Sequence, residues 1–228
     1  MKKTLQEVRE YINEGVYDPG IFKAFFLAGG PGSGKSYVTN RTTAGMGLKL
    51  VNSDVRFEMY LKKAGLSLKM PDKEAGQRDP LRARAKQITG DQMDLYIRNR
   101  LGLVIDATGR DYDIINKQRS MLRMLGYDTY MMFVNTSLEV ALQRNKVRTR
   151  TVPVNIATKS WNVVQGNIGR FQNLFGTGNM IVVDNNNASE DTLNKVYTRI
   201  RGLVRKPVQN FVAKKWIEQE LAKKRNAR

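Results

Sequence analysis

Residues 29–36 read Gly-Gly-Pro-Gly-Ser-Gly-Lys-Ser, and no other stretch limits the fold of this 228-residue chain so strongly. The spacing G-x-x-x-x-G-K-[ST] belongs to a loop that wraps a phosphate chain. Several backbone amides must point at one group, which takes φ/ψ values that only glycine adopts cheaply, and four of these eight residues are glycine. Such a loop needs a strand to launch it and a helix to receive it. Ile21 to Ala28 is a nearly continuous apolar run, as in a strand buried on both faces. The helix expected from Lys35 turns its positive N-terminal dipole toward the phosphates. A nucleoside triphosphate, ATP or GTP, is therefore the expected ligand, with Gly30, Pro31, Gly32, Ser33, Gly34, Lys35, Ser36 and Tyr37 as the binding set. Lys35 would reach the β- and γ-phosphates and the Ser36 hydroxyl would complete a Mg²⁺ shell.

The alternation of strand and helix repeats along the chain. Leu48 to Asn52, Leu101 to Ile105, Tyr127 to Val134 and Met180 to Val183 read as further strands. Helices over Asp54 to Ala64, Asp111 to Leu125, Ser137 to Asn145 and Ser189 to Val204 follow them. Five strands, each followed by a helix, give an α/β domain with a parallel sheet. Asp79 before Pro80 predicts a capped helix from there to about Arg100, and Thr136 with Glu139 has capping-box spacing. Gly65 to Asp79 and Arg144 to Pro153 break the repeat and are expected as insertions at the mouth of the sheet. The resulting organisation is an amphipathic helix within residues 1–20, one α/β domain over 21–204 with a lid at about 144–155, and a tail over 205–228. That tail is basic, with eight Lys or Arg against two Glu, and its apolar residues Phe211, Val212, Trp216, Ile217 and Leu221 have helical spacing.

Composition then removes whole chemistries. The chain has no Cys and no His, so no thiolate nucleophile, imidazole base, Ser-His triad or Cys/His metal site is available. Catalysis would have to run on carboxylates, hydroxyls, Lys, Arg and backbone amides. No apolar run approaches the roughly 20 residues of a membrane span, and Met1-Lys2-Lys3 is followed by further charge and not by a signal-peptide core. A soluble, cytoplasmic protein is expected.

Phosphoryl transfer to a hydroxyl asks for a carboxylate to take the proton and for a metal held against the phosphates. Asp54 and Asp106 follow the second and third apolar runs, and in a parallel sheet both carboxylates would face the crevice beside the loop. Asp54 is the candidate base; Asp106 is a candidate for Mg²⁺ or for the acceptor; either could instead be a helix cap. Arg144 and Arg148, spaced i, i+4 and flanked by Lys146 and Arg150, read as a cationic lid, or as the solvated end of a basic helix.

In order, the phosphate loop, Asn52-Ser53-Asp54-Val55-Arg56, Val104-Ile105-Asp106-Ala107-Thr108-Gly109-Arg110, Leu142-Gln143-Arg144-Asn145-Lys146-Val147-Arg148 and Thr151-Val152-Pro153 resemble the P-loop kinases of the polynucleotide 5′-kinase and zeta-toxin group. The resemblance covers about residues 21–185. It implies a three-layer αβα P-loop NTPase fold, a five-stranded parallel sheet in the order 2-3-1-4-5 and a helical lid. It implies Lys35 and Ser36 on phosphate and Mg²⁺, Asp54 as base, and Arg144 and Arg148 as phosphate clamps. It places Arg56, Asp106, Thr108 and Arg110 at the acceptor, although Arg56 stands closer to Asp54 than its counterpart does in polynucleotide kinase. Such small kinases are often phage-encoded, which would put this one in the host cytoplasm, and the phage enzymes that phosphorylate hydroxymethyl groups on DNA bases belong to the same broad class.

A formal charge of +18 bears on the partner and not on the fold. A polyanionic acceptor, nucleic acid or nucleotide, would account for it. Arg78, Arg82, Arg84 and Lys86 are candidates for a basic wall of its cleft. The tail, with Phe211 and Trp216 among lysines, is a candidate second contact, or a face that packs onto the body or onto a protein partner. A zeta-toxin-like kinase of nucleotide sugars and a non-catalytic nucleotide- or nucleic-acid-binding phage component are the alternatives. The Trp161, Val164, Ile168 and Phe171 series reads as core, and Asp184-Asn185-Asn186-Asn187 as a turn near the nucleotide.

Overall fold

A computed structural model describes residues 15–148 and 151–226. The helix expected at the N-terminus falls outside them, apart from its last residue in a 3-10 turn at Gly15–Tyr17, and Arg150 falls outside them as well. Five strands, β1 (Lys23–Ala28), β2 (Lys49–Val51), β3 (Leu103–Thr108), β4 (Asp128–Asn135) and β5 (Met180–Asp184), form one sheet in the order β2-β3-β1-β4-β5. Every pairing is parallel. Helices α1 (Lys35–Thr43), α2 (Ser53–Lys63), α3 (Ala75–Arg98), α4 (Tyr112–Met124), α5 (Leu138–Val147), α6 (Val154–Gly166), α7 (Ile168–Phe175) and α8 (Glu190–Arg205) connect or follow the strands, and α9 (Phe211–Asn226) closes the chain.

The central strand is buried along its whole length, which is why it reads as a continuous apolar run. Its side chains nonetheless alternate between two layers. Ala24, Phe26 and Ala28 join Met131, Phe133, Phe171 and Phe175 on one face, while Phe25 and Leu27 join Tyr130, Met132, Val134, Ile181 and Ile200 on the other. A third, smaller cluster of Phe57, Leu61 and Ala85 binds α2 to α3. At the amino end of the sheet Lys23 is fully buried in register with Asp128, its Nζ donating to the carboxylate at 2.9 Å. Burial pulls the amine's pKa down, against the pull of its partner's charge.

Several boundaries differ from expectation, each for a local reason. The helix expected from Asp79 starts a turn earlier, at Ala75, and carries Pro80 inside it. Pro80, the sixth residue, lies past the first turn and forgoes the bond its N–H would have made to the Gly76 carbonyl, and the segment before the helix is fastened. Glu74 accepts from the backbone N of Ser67 at 2.9 Å, and Arg78 donates to the Met70 carbonyl at 2.8 Å. Thr136 does not cap α5; Ser137 does, accepting from Val140 N, because β4 runs on to Asn135 and turns Thr136 inward. Asp106 lies within β3 and does not close it, since that strand continues to Thr108. On α3 Arg82 lies over the Phe57 ring and Arg84 over the Tyr60 ring, and both, like Lys86, are exposed. The C-terminal tail folds onto the body. Ala213 is buried, Trp216 meets Phe22 edge-on at 5.6 Å, and Arg100 stacks on Trp216 at 4.1 Å.

Candidate active site

The carboxyl end of β1 delivers the chain into the phosphate loop, and the loop is held from three sides. Gly32 has φ +79° and Gly34 has φ +82°, both left-handed, and a Cβ on Gly32 would collide with the Ala141 carbonyl of α5. Here glycine is required by space as well as by conformation. Asn185, in the turn after β5, is buried and donates from Nδ2 to the Ser33 carbonyl at 2.7 Å. Trp161 of α6 lies against Gly30 and donates its indole N–H to the Thr136 carbonyl at 3.0 Å. Lys35, first residue of α1, folds back so that Nζ donates to the Gly29 carbonyl at 2.7 Å.

Beside the loop lies a crevice of about 490 Å³, within the range of roughly 300–1,000 Å³ usual for small-molecule sites. Of the sequence-predicted residues it collects Gly30, Gly32, Gly34, Lys35, Ser36, Tyr37, Asp54, Asp106, Thr108, Arg144 and Arg148. Pro31, Ser33, Arg56 and Arg110 are not on its lining. Ser33 is buried beneath the loop. Arg56 turns into an adjoining apolar slot with Leu50, Val55 and Met59, and donates to Gln92 Oε1 at 3.2 Å. Arg110 is exposed, and its carbonyl accepts from Asn167 Nδ2 at 3.2 Å.

The two carboxylates owe their positions to one residue that composition could not flag. Asn52 caps α2, its Oδ1 accepting from Asp54 N at 2.7 Å, and its Nδ2 donates to Asp106 Oδ2 at 2.8 Å. The other Asp106 oxygen, Oδ1, is buried with no hydrogen-bond partner among the described residues. Burial pushes the Asp106 carboxyl upward and Asp54 adds to that, while the Lys35 charge opposes it. Burial likewise pulls Lys35 downward, Asp106 and Asp54 hold it up, and Arg148 lowers it further. Helix α5 ends at Val147, so Arg148 is an extended cap residue, yet it still shares the crevice with Arg144. Both guanidinium bonds of Arg144 go to backbone, at 2.7 Å to Asn185 O and 3.1 Å to Asn186 O. In this arrangement Arg144 ties α5 to the turn that braces the loop.

Among the described residues no group of three or more acidic side chains forms a metal cage. Mg²⁺ does not need one, since it keeps water and binds through one or two carboxylates plus substrate phosphates. The open Asp106 Oδ1 and the exposed Ser36, both on the lining of the crevice, fit that pattern. Sequence reasoning gave Asn52 and Trp161 no role at the site, and it put the turn of Asn185 near the nucleotide without its bond to the loop. The first carried a signal, an Asn directly before a helix start; the others act through contacts that only the fold creates.

Among the described residues no helix is long and apolar enough to cross a membrane. No curated protein matches the sequence significantly. Solved structures share the fold at low identity. A chain from the PezAT chromosomal toxin–antitoxin system of Streptococcus pneumoniae is 14% identical, with 92% of this chain and 91% of that chain covered and a TM-score of 0.56. A kinase candidate from Chloroflexus aurantiacus is 15% identical over 80% of this chain and 96% of its own, at a TM-score of 0.54. A chain of the Pnkp1/Rnl/Hen1 RNA repair complex is 20% identical over 66% of this chain and 46% of its own, at 0.51. The parallel sheet, its strand order and the glycine loop make this a P-loop NTPase fold. With residues 25–171 matching, well over half its length, the chain belongs to the AAA domain family.

Proposed function

We propose that the protein is a phosphotransferase that moves the γ-phosphoryl group of ATP to a hydroxyl of a nucleic acid or nucleotide. The observation that carries this reading is the crevice itself, which sets Lys35 and Ser36 of the phosphate loop, the carboxylates of Asp54 and Asp106, and Arg148 around one volume. The acceptor oxygen attacks the γ-phosphorus, the bond from that phosphorus to the bridging oxygen of ADP breaks, and the proton of the hydroxyl passes to the Asp54 carboxylate. Lys35 leaves the Gly29 carbonyl for the β- and γ-phosphates, and Arg148 counters charge spreading over the transferred oxygens. Mg²⁺, when bound, neutralises phosphate charge; Ser36 and the open oxygen of Asp106 would hold it.

The +18 charge supports a polyanionic acceptor. The resemblance of the phosphate loop and of the Asp54, Asp106 and Arg144 segments to the zeta-toxin group keeps nucleotide sugars as a second acceptor class. Radiolabelled ATP with Mg²⁺ and a panel of DNA, RNA, nucleosides and nucleotide sugars tests the reading. Label on a nucleic acid or nucleotide hydroxyl supports it, label on a nucleotide sugar replaces the acceptor, and no labelled product refutes the transferase.

A further inference from the structure

At the opposite end of the sheet, where β4 begins, lies a second cavity of about 490 Å³. The eight residues of β4, Asp128–Asn135, at about 3.3 Å each put it roughly 23 Å from the crevice. Three cations line it, Arg119 and Arg123 from α4 and Lys206 from the end of α8. No hydrogen bond or ion pair occupies any of these three side chains among the described residues, and Arg119 Nε is buried without a hydrogen-bond partner. The Arg119 guanidinium lies over the Phe175 ring at 5.1 Å, a contact that brings no counter-charge. The two arginines are four apart on one helix, a spacing at which like charges repel. Burial, and then the charge of Arg123, lower the Arg119 pKa. The one acid on the lining, Asp128, is already used. It accepts from Lys23 Nζ and Gln209 N at 2.9 Å each and from Asn210 N at 3.1 Å. The cavity therefore holds a surplus of positive charge and offers it no counter-charge.

A second feature points to more than a bare anion. Phe211, the first residue of α9, lines the same cavity and is 76% exposed, although the rest of that helix buries Ala213 and packs Trp216 and Ile217 on the core. An exposed aromatic ring beside unpaired cations is the pairing that binds single-stranded nucleic acid, with phosphate on the charges and base on the ring.

We propose that this cavity is a second nucleic-acid site, which seats one nucleotide of a single strand with its phosphate among Arg119, Arg123 and Lys206 and its base on Phe211. The site is separate from the crevice, and it stands whether or not phosphoryl transfer occurs there.

The test is fluorescence anisotropy of a short labelled oligothymidylate over a salt series, with the full chain. Arg123→Glu with Lys206→Glu should weaken binding about tenfold or more and reduce the slope of log K against log salt by about 0.7, for the one single-strand phosphate that is no longer neutralised. Phe211→Ala should weaken binding about 5- to 150-fold with the slope kept, the fold-change that corresponds to ~1–3 kcal/mol per stacked base. All three residues are exposed, and an unchanged thermal midpoint shows that the variants fold. Lys62→Glu with Lys63→Glu, on the far end of α2, controls for net charge. Equal losses from the two double variants, or no loss from Phe211→Ala, overturn the site and return these cations to general charge or to an acidic protein partner. Competition by tripolyphosphate as strong as by unlabelled oligonucleotide of equal phosphate content also overturns it, in favour of a free polyphosphate. ATP affinity, read separately at the crevice, should not change in either Arg123→Glu/Lys206→Glu or Phe211→Ala.

Discussion

Asn185→Ala removes a single amide from the turn after β5 and should be felt at the phosphates, which that amide need not touch. Its Nδ2 donates to the Ser33 carbonyl at 2.7 Å in a buried setting. Depriving a buried acceptor of its donor costs about 1–3 kcal/mol. The backbone links of the same turn survive the change, because Arg144 holds the carbonyls of Asn185 and Asn186, and Asn185 N donates to Asn135 O. The loss therefore falls on the phosphate loop, whose working shape must now be reached at that cost whenever nucleotide binds. At 1.4 kcal/mol per tenfold, affinity for a fluorescent ATP analogue should weaken about 5- to 150-fold. Urea unfolding run in parallel shows how much of the cost falls on the whole fold. Asn186→Ala, which disturbs only exposed bonds, from Ser137 N to its Oδ1 and from its Nδ2 to Asp184 Oδ1, should cost far less. Unchanged nucleotide affinity in Asn185→Ala would refute the idea that this turn braces the loop.

Two further outcomes follow from the geometry. Gly32→Ala puts a Cβ onto the Ala141 carbonyl at a left-handed φ of +79°. Strain of about 1–2 kcal/mol from the conformation alone, plus displacement of α5, should abolish measurable nucleotide binding, and an alanine variant that binds ATP normally would contradict the close approach. The buried Lys23 amine has a folded pKa below its ordinary value of 10.5, so the unfolded chain holds more protons below that pH and stability should climb as pH rises toward it. Above about pH 10 Tyr127 and Tyr130, whose phenols burial pushes upward, act in the opposite sense and should turn the curve over. Lys23→Met should flatten the climb in urea titrations across that range while leaving the turnover; an unaltered slope would mean that Lys23 is not the group responsible.

Strand and helix placement was legible because the period of the apolar residues is a local property. A strand such as Lys23–Ala28, buried on both faces, has no alternation to lose, and so it could not be mistaken for a surface strand. Local chemistry misled where tertiary contacts outweighed it. Asp79-Pro80 has every mark of a helix start, yet Ala75 starts α3, because Glu74 at its cap and Arg78 in its first turn fasten the preceding segment. Of the site, the loop and both carboxylates could be read, since the motif specifies the loop and the apolar runs lead to both acids, even though β3 continues past Asp106. The braces could not. Asn185 reaches Ser33 across 152 residues of chain, and nothing in a run of asparagines says which one faces inward. The resemblance placed Arg56 at the acceptor; on α2 it lines the slot that adjoins the crevice and donates to Gln92, a placement no local pattern announces. The lid arginines divide in the same way, because α5 ends between them: Arg144 is tied to backbone and Arg148 is left at the helix cap.

In the proposed reaction the Asp54 carboxylate accepts the proton of a hydroxyl attacking a phosphate chain held by the loop. Single-turnover transfer from radiolabelled ATP to the acceptor found in the panel, compared between the native chain and Asp54→Asn at saturating ATP, tests it most directly. General-base losses of about 10²–10⁴-fold are typical, so transfer by Asp54→Asn should fall by that order while ATP affinity stays nearly unchanged. Transfer at the native rate by Asp54→Asn would contradict the account.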